Sequence, residues 1–129
     1  MRVLLIDDND ADHRFFQLLF NENFPQGELL RAKDSDSLDD IMKNSVHLPE
    51  VILVDLNLPG KDGRQILGEL QKHPTYGGIP KFVWTSSSSP QDKKVALDHG
   101  VGFQSKPLEI SEYIKFIQSL EVLANPKKV

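Results

Sequence analysis

Hydrophobic and polar positions follow two different periods along the chain, one typical of buried strands and the other of amphipathic helices. The clearest strand is predicted at residues 51–54, four consecutive apolar residues of which three are β-branched. Such a run favours a strand that is buried on both faces, as in a parallel sheet. Further strands are predicted at residues 3–6, 28–32, 81–85 and 101–105, the last being the least apolar because it carries Gln104 and Ser105.

Apolar residues at helical spacing occupy the segments between and after these strands. Helices are predicted from about residues 10 to 23, 35 to 44, 62 to 73, 89 to 99 and 109 to 124. The fourth has the clearest ends, since Ser89 can cap it, Pro90 suits its first turn and Gly100 can stop it. Strands that alternate with helices in this way predict a single domain, residues 1–129, with a flavodoxin-like α/β fold. This fold is a doubly wound, five-stranded parallel sheet of order 2-1-3-4-5.

The composition is that of an ordinary globular domain, and it narrows the classes of function. Of the 129 residues, 39% are hydrophobic and 26% are charged, which argues against disorder. The net charge of −4 lacks the basic footprint of a nucleic-acid-binding protein, and the chain has no cysteine for a thiolate nucleophile or a disulfide. No apolar stretch approaches the roughly 18 residues of a membrane span. We therefore expect a cytoplasmic protein with neither a nucleic acid nor a membrane as partner.

Asp55 directly follows the most apolar of the predicted strands, where a carboxylate has no structural use. Because burying an unpaired carboxylate is costly, Asp55 is expected in the crevice beyond the carboxyl ends of the strands. The same edge should collect Asp7 and Asp8 from strand one, Thr85 from strand four and Lys106 from strand five. Three carboxylates repel each other unless a cation lies among them, and Mg²⁺ prefers oxygen ligands. These residues predict phosphoryl transfer to Asp55, with Mg²⁺, the Lys106 ammonium and the Thr85 hydroxyl neutralising the phosphoryl oxygens.

Taken together, these motifs resemble the receiver domain of two-component response regulators. The resemblance rests on Asp7-Asp8, the V-D-L-N-L-P-G-K-D-G segment that contains Asp55, Thr85, and the Lys106-Pro107 pair. It implies reversible phosphorylation of Asp55 by a partner histidine kinase, in a phosphorelay that uses an aspartyl phosphate. It also implies a Mg²⁺ ion on Asp8, Asp55 and the backbone carbonyl of Asn57, with Asp7 holding the metal site largely through water.

The resemblance assigns roles to further positions. It implies that Thr85, Ser86 and Lys106 contact the phosphoryl group, that Thr85 and Phe103 form the conformational switch, and that Pro59, Gly60 and Pro107 support the loops. More narrowly, the D-N-D-A-D-H-R opening and the T-S-S-S segment resemble single-domain regulators that serve phytochrome-type kinases. A regulator without an output domain would signal through an unidentified downstream protein or through a homodimer formed by the fourth helix, fifth strand and fifth helix. The last helix carries more apolar residues than one buried stripe needs, and Phe116, Leu120 or Leu123 are expected to be exposed there.

Rival interpretations exist for the same residues. An aspartate-nucleophile phosphohydrolase would also use Asp55, but it needs a second acid two residues later, where this chain has Asn57. A receiver-fold binding module that has lost phosphorylation would keep the fold alone. The Asp8-x-Asp10-x-Asp12 spacing hints at a calcium loop, yet the glycine and glutamate that such a loop requires are His13 and Leu19. The favoured prediction is a phosphoacceptor switch and not an enzyme, with at most slow self-catalysed phosphorylation and dephosphorylation.

Overall fold

A computed structural model describes residues 1–58 and 61–125, and within them the chain forms one parallel sheet covered by helices on both faces. The strands are β1 (Arg2–Ile6), β2 (Glu28–Ala32), β3 (Val51–Val54), β4 (Lys81–Thr85) and β5 (Gly102–Ser105). The helices are α1 (Asp10–Asn23), α2 (Ser35–Asn44), α3 (Gly63–Lys72), α4 (Pro90–Asp98) and α5 (Ile110–Ala124), with a short 3-10 helix at Tyr76–Gly78. The strand order is β2-β1-β3-β4-β5 with every pair parallel, which confirms the predicted fold.

Side chains of the central strands alternate between two apolar layers. On β1, Val3 and Leu5 face the layer formed with α1 and α5, whereas Leu4 and Ile6 face the layer formed with α2, α3 and α4. This alternation follows from the two-residue period of a strand. Burial on both faces explains why residues 3–6 of β1 and all of β3 are continuous apolar runs, and it leaves only the ends of these strands free to carry polar groups.

The apolar face of α5 is wider than one stripe because it covers the aromatic part of the core. Phe116 stacks on Trp84 of β4 with ring centroids 5.1 Å apart, and Leu120 is fully buried beside it. Leu123 is partly buried against the same layer. The prediction that Phe116 and Leu120 are exposed is therefore wrong. A tryptophan on β4 needs a larger apolar surface from its covering helix than a single stripe supplies.

Strand β5 is polar because it lies at the edge of the sheet. It pairs with β4 alone, from Phe82 opposite Gly102 to Thr85 opposite Ser105. All of its residues are half-buried, so Gln104 and Ser105 keep contact with solvent. Within residues 1–58 and 61–125, no helix is long and apolar enough to cross a membrane. Pro126, which follows α5 in the sequence, lies outside the described residues.

Candidate functional site

Three carboxylates meet at the carboxyl edge of the sheet, between β1 and β3. Oxygens of Asp7, Asp8 and Asp55 all lie within 4.8 Å of one another. The register accounts for this, since Ile6 pairs with Val54 and the residue after each strand reaches the same edge. Asp7 is fully buried and Asp55 is 6% exposed, whereas Asp8 is open to solvent. The structure thus brings together the three acidic residues that the sequence analysis selected.

Backbone amides hold one oxygen of each buried carboxylate in place. The amide of Asn9 donates to Asp7 Oδ1, and the amide of Asn57 donates to Asp55 Oδ1, each at 2.9 Å. Both bonds span two residues, as in an Asx turn, so each aspartate orients itself on the loop that follows its strand. The second oxygen of each carboxylate is left for the crevice. Asn57, which is exposed, therefore supports Asp55 through its N–H group.

Lys106 places its ammonium group among the carboxylates. Its Nζ lies 2.9 Å from Asp7 Oδ2, 3.0 Å from Asp55 Oδ2 and 2.8 Å from Asp12 Oδ2, and the side chain is 11% exposed. Burial by itself would lower the pKa of Lys106, but hydrogen bonds to Asp12 and Asp7 and the nearby negative charges outweigh it and raise the pKa. The group is therefore a fixed positive charge. The backbone amide of Lys106 donates to the Thr85 carbonyl at 2.7 Å, and this bond anchors the end of β5.

The electrostatics of the cluster favour a bound cation. Burial raises the pKa of Asp7, and the Asn9 amide and the Lys106 ammonium offset that rise only in part. Asp7 Oδ2 is buried and lies 2.9 Å from the Lys106 ammonium. Carboxylates outnumber the single ammonium here, and their hard oxygen atoms are the ligands that divalent cations of the Mg²⁺ and Mn²⁺ type prefer. The residues fit a divalent metal ion.

Thr85 and its neighbours lie beside the carboxylates, on the next strand of the sheet. The Thr85 side chain is fully buried, and its hydroxyl accepts a hydrogen bond from the Ser87 amide at 3.1 Å. The hydroxyl is thus held by the loop between β4 and α4, next to the exposed Ser86. Phe103 is half-buried on β5 and packs in the layer that contains α4. It lies opposite Val83, which precedes Thr85 by two residues on β4. The two predicted switch residues therefore lie on neighbouring strands at the same edge.

Glycine at position 63 lets α3 begin directly against the end of β3. A Cβ atom there would collide with the Asp55 carbonyl oxygen and with Leu56 Cα. Sequence reasoning missed this residue, although the Asp62-Gly63 pair at the helix start was a usable signal. Of the predicted loop supports, Pro107 follows Lys106 and is half-buried. Pro59 and Gly60 lie outside the described residues.

Two further residues near the carboxylates were also missed. Arg31 on β2 donates from Nε to the Asp7 carbonyl at 3.1 Å and forms a 2.7 Å ion pair with Asp10. Asp12, in the first turn of α1, contacts Lys106 as described above. The acidic spacing of residues 8, 10 and 12 drew attention to Asp12, but only as a failed calcium motif. None of these contacts can be predicted from the sequence, because each joins elements that are distant along the chain.

Comparisons with known proteins agree with this geometry. The chain matches the family model of the response regulator receiver domain over residues 3–118. Response regulator Rcp1 of Synechocystis is 29% identical over 125 residues, covering 92% of this chain and 85% of Rcp1. The KDP operon transcriptional regulatory protein KdpE of Escherichia coli is 29% identical over 112 residues, covering 85% of this chain but only 46% of KdpE.

Solved structures give the same result. The Mn²⁺-bound form of Rcp1 superposes with a TM-score of 0.80 at 28% identity, covering 94% of this chain and 91% of that one. The phosphorylated cyanobacterial phytochrome response regulator RcpA superposes with a TM-score of 0.82, at the same identity and coverage. The chain therefore belongs to the receiver domain family of two-component response regulators, a family of phosphoacceptor signalling switches.

Proposed function

We propose that Asp55 is the phosphoacceptor of this receiver domain and that a histidine kinase is the donor. The observation that carries the proposal is the position of Asp55 Oδ2, which is 3.0 Å from the Lys106 ammonium in a cluster with Asp7 and Asp8. In the reaction an Asp55 oxygen attacks the phosphorus of a phosphohistidine. A new oxygen–phosphorus bond forms, the nitrogen–phosphorus bond breaks, and the imidazole nitrogen leaves with the electron pair.

Mg²⁺ is the metal that we assign to the carboxylate cluster, held by Asp8, Asp55 and the Asn57 carbonyl, with Asp7 supporting it. The all-oxygen donor set favours Mg²⁺ or a similar ion, and Rcp1, a relative, has been crystallised with Mn²⁺. When bound, the ion supplies charge neutralisation for the phosphoryl oxygens. The amides of Asn9 and Asn57, which hold Asp7 and Asp55 in place, would keep these carboxylates oriented for the ion.

The remaining residues of the site would recognise the transferred group. Lys106 offers a point charge to one phosphoryl oxygen, and the Thr85 hydroxyl, which accepts from the Ser87 amide, would donate its own proton to another. Ser86, small and exposed, would leave access to the group. Movement of Thr85 would alter the packing of Phe103 on the neighbouring strand, and the α4–β5–α5 surface would change with it.

The output is binding and not turnover of a substrate. We assign it to a homodimer or a downstream protein on the α4–β5–α5 surface, where Leu97 is 78%, Leu108 98% and Ile110 61% exposed. The resemblance to RcpA supports a phytochrome-type kinase as the donor, and the proposal includes a cytoplasmic location. Sedimentation with and without the phosphoryl mimic beryllofluoride tests the dimer, which a monomer in both conditions would exclude.

Intact-protein mass spectrometry after incubation with a small-molecule phosphodonor tests the phosphoacceptor. We expect one added phosphoryl group in the presence of Mg²⁺, and none after Mg²⁺ chelation or in Asp55→Ala. The variant Asp10→Asn is the control, since Asp10 pairs with Arg31 outside the carboxylate cluster. A phosphoryl group that survives Asp55→Ala would refute the assignment, and steady hydrolysis of a phosphomonoester would favour the phosphohydrolase instead.

A further inference from the structure

Lys106 has one partner that the proposed phosphorylation chemistry does not use. Its Nζ carries three protons and faces three carboxylate oxygens, and the shortest of the three contacts is the 2.8 Å hydrogen bond to Asp12 Oδ2. Asp12 belongs to the first turn of α1 and not to the metal cluster of Asp7, Asp8 and Asp55. Its side chain is 38% exposed, whereas those of Asp7 and Asp55 are almost fully buried. Asp12 therefore holds Lys106 from the helix side of the crevice.

The three partners respond differently when a metal ion and a phosphoryl group arrive. Asp7 and Asp55 lie in the metal cluster, so a divalent cation neutralises part of their charge. Asp12 lies outside that cluster, so a cation bound there leaves its attraction for the ammonium in place. The phosphoryl oxygens on Asp55 then share Lys106 with Asp12, which attracts the ammonium toward α1.

We propose that Asp12 is a positioning residue that acts through Lys106, drawing the ammonium toward α1 and so favouring the unphosphorylated state. The inference rests on the proposed function, because it requires Asp55 to be the phosphoacceptor. Asp12 touches neither the phosphoryl group nor the metal in this scheme. It sets the fraction of time for which Lys106 is available to the phosphoryl oxygens, and hence how tightly the site holds them.

Titration calorimetry with beryllofluoride at saturating Mg²⁺ tests the proposal. Asp12→Asn removes the charge that competes for Lys106, and its dissociation constant for beryllofluoride is expected to fall about fivefold, as for loss of a part-exposed ion pair. Asp12→Glu keeps the charge and is expected to return the constant to about the wild-type value. Asp10→Asn is the matched control, because Asp10 lies in the same helical turn but pairs with Arg31 at 2.7 Å. Its affinity is expected to match the wild type.

The outcomes separate this inference from the function on which it rests. Asp12→Asn binding no tighter than wild type would overturn the role of Asp12, as would equal tightening in Asp10→Asn, which would mean that net charge alone matters. Wild-type protein that fails to bind beryllofluoride with Mg²⁺ would overturn the proposed function as well. Denaturant unfolding of each variant checks the fold, which a substitution at this part-exposed position should preserve.

Discussion

Two lysines with little exposed surface lie at opposite ends of neighbouring strands, and they show how the charge of the partners shifts the pKa of the same type of side chain. Lys81 opens β4 and is 4% exposed, and Lys106 follows β5 with a side chain that is 11% exposed. Lys81 donates to three backbone carbonyls, those of Tyr76, Ile79 and Gly77, at 2.6, 2.8 and 3.3 Å. Burial lowers its pKa to about 8. The pKa of Lys106 moves the other way, because carboxylates surround it.

The difference separates a structural end of the sheet from a functional one. Carbonyl dipoles satisfy the donors of Lys81 and close the loop before β4, but they carry no net charge with which to hold an ammonium in a buried place. Carboxylates hold the Lys106 ammonium firmly, yet they leave their own excess negative charge uncompensated. The polar groups at the Lys81 end satisfy one another, whereas the Lys106 end remains responsive to added cations and anions.

Removing the Lys106 charge is expected to give the largest change in stability. In Lys106→Met the buried Asp7 and Asp55 lose their cation, and the free energy of unfolding should fall by about 3 kcal/mol in a metal-free buffer. Mg²⁺ should restore most of it, since the ion can replace the lost charge. Urea denaturation with EDTA and with Mg²⁺ measures both values. Lys115→Met, which breaks only an exposed pair with Glu112, is the control. An equal loss in both buffers would contradict the comparison.

An intermediate change in the free energy of unfolding is expected from the titration of Lys81. Its pKa is about 8 in the folded protein against 10.5 ordinarily, so between these values the unfolded chain binds more protons and stability rises with pH. The full shift corresponds to about 3 kcal/mol, and the carbonyl partners, which favour the ammonium, reduce our expectation to about 2 kcal/mol.

Comparison of the wild type with Lys81→Met measures this rise of stability with pH. The free energy of unfolding of the wild type minus that of Lys81→Met should increase by about 2 kcal/mol from pH 7.5 to 10. The raised pKa of Lys106 means that its contribution is fully present below the unfolded value and is lost only as the pH passes the folded value. It therefore stays constant in this window, and Lys106→Met should keep the wild-type slope. A difference between wild type and Lys81→Met that does not vary with pH would show that the Lys81 pKa is unshifted.

The smallest change in the free energy of unfolding is expected when an exposed ion pair is removed. Arg2 and Glu28 lie at the amino edge of the sheet, 3.7 Å apart, with the Glu28 side chain 54% exposed. Solvent screens such a pair, so Glu28→Gln should change the free energy of unfolding by less than about 0.5 kcal/mol. Urea denaturation at low salt measures it. A loss as large as that in Lys106→Met would mean that burial is not what separates the two edges.

Much of the fold was predictable because local signals and burial agreed. Residues 28–32, 35–44 and 81–85 form the predicted elements with the predicted bounds. The predicted cap Ser89 accepts a hydrogen bond from the Asp92 backbone amide, at the start of α4. The exposure of Phe116 and Leu120 on α5 was predicted wrongly, because the width of the buried face depends on Trp84, which lies about 30 residues earlier in the sequence.

By itself, the sequence determined the order of strands and helices and therefore which residues reach the carboxyl edge of the sheet. Two-residue and 3.6-residue periods, helix caps and parallel topology are enough for that, and they select Asp7, Asp8, Asp55 and Lys106. Only the tertiary structure decided what each side chain contacts once it is there. The Asp12 contact to Lys106 depends on the placement of α1 over the sheet, and the carbonyls around Lys81 depend on the 3-10 turn before β4. Helix placement and side-chain direction arise from packing between distant segments, which no local period encodes.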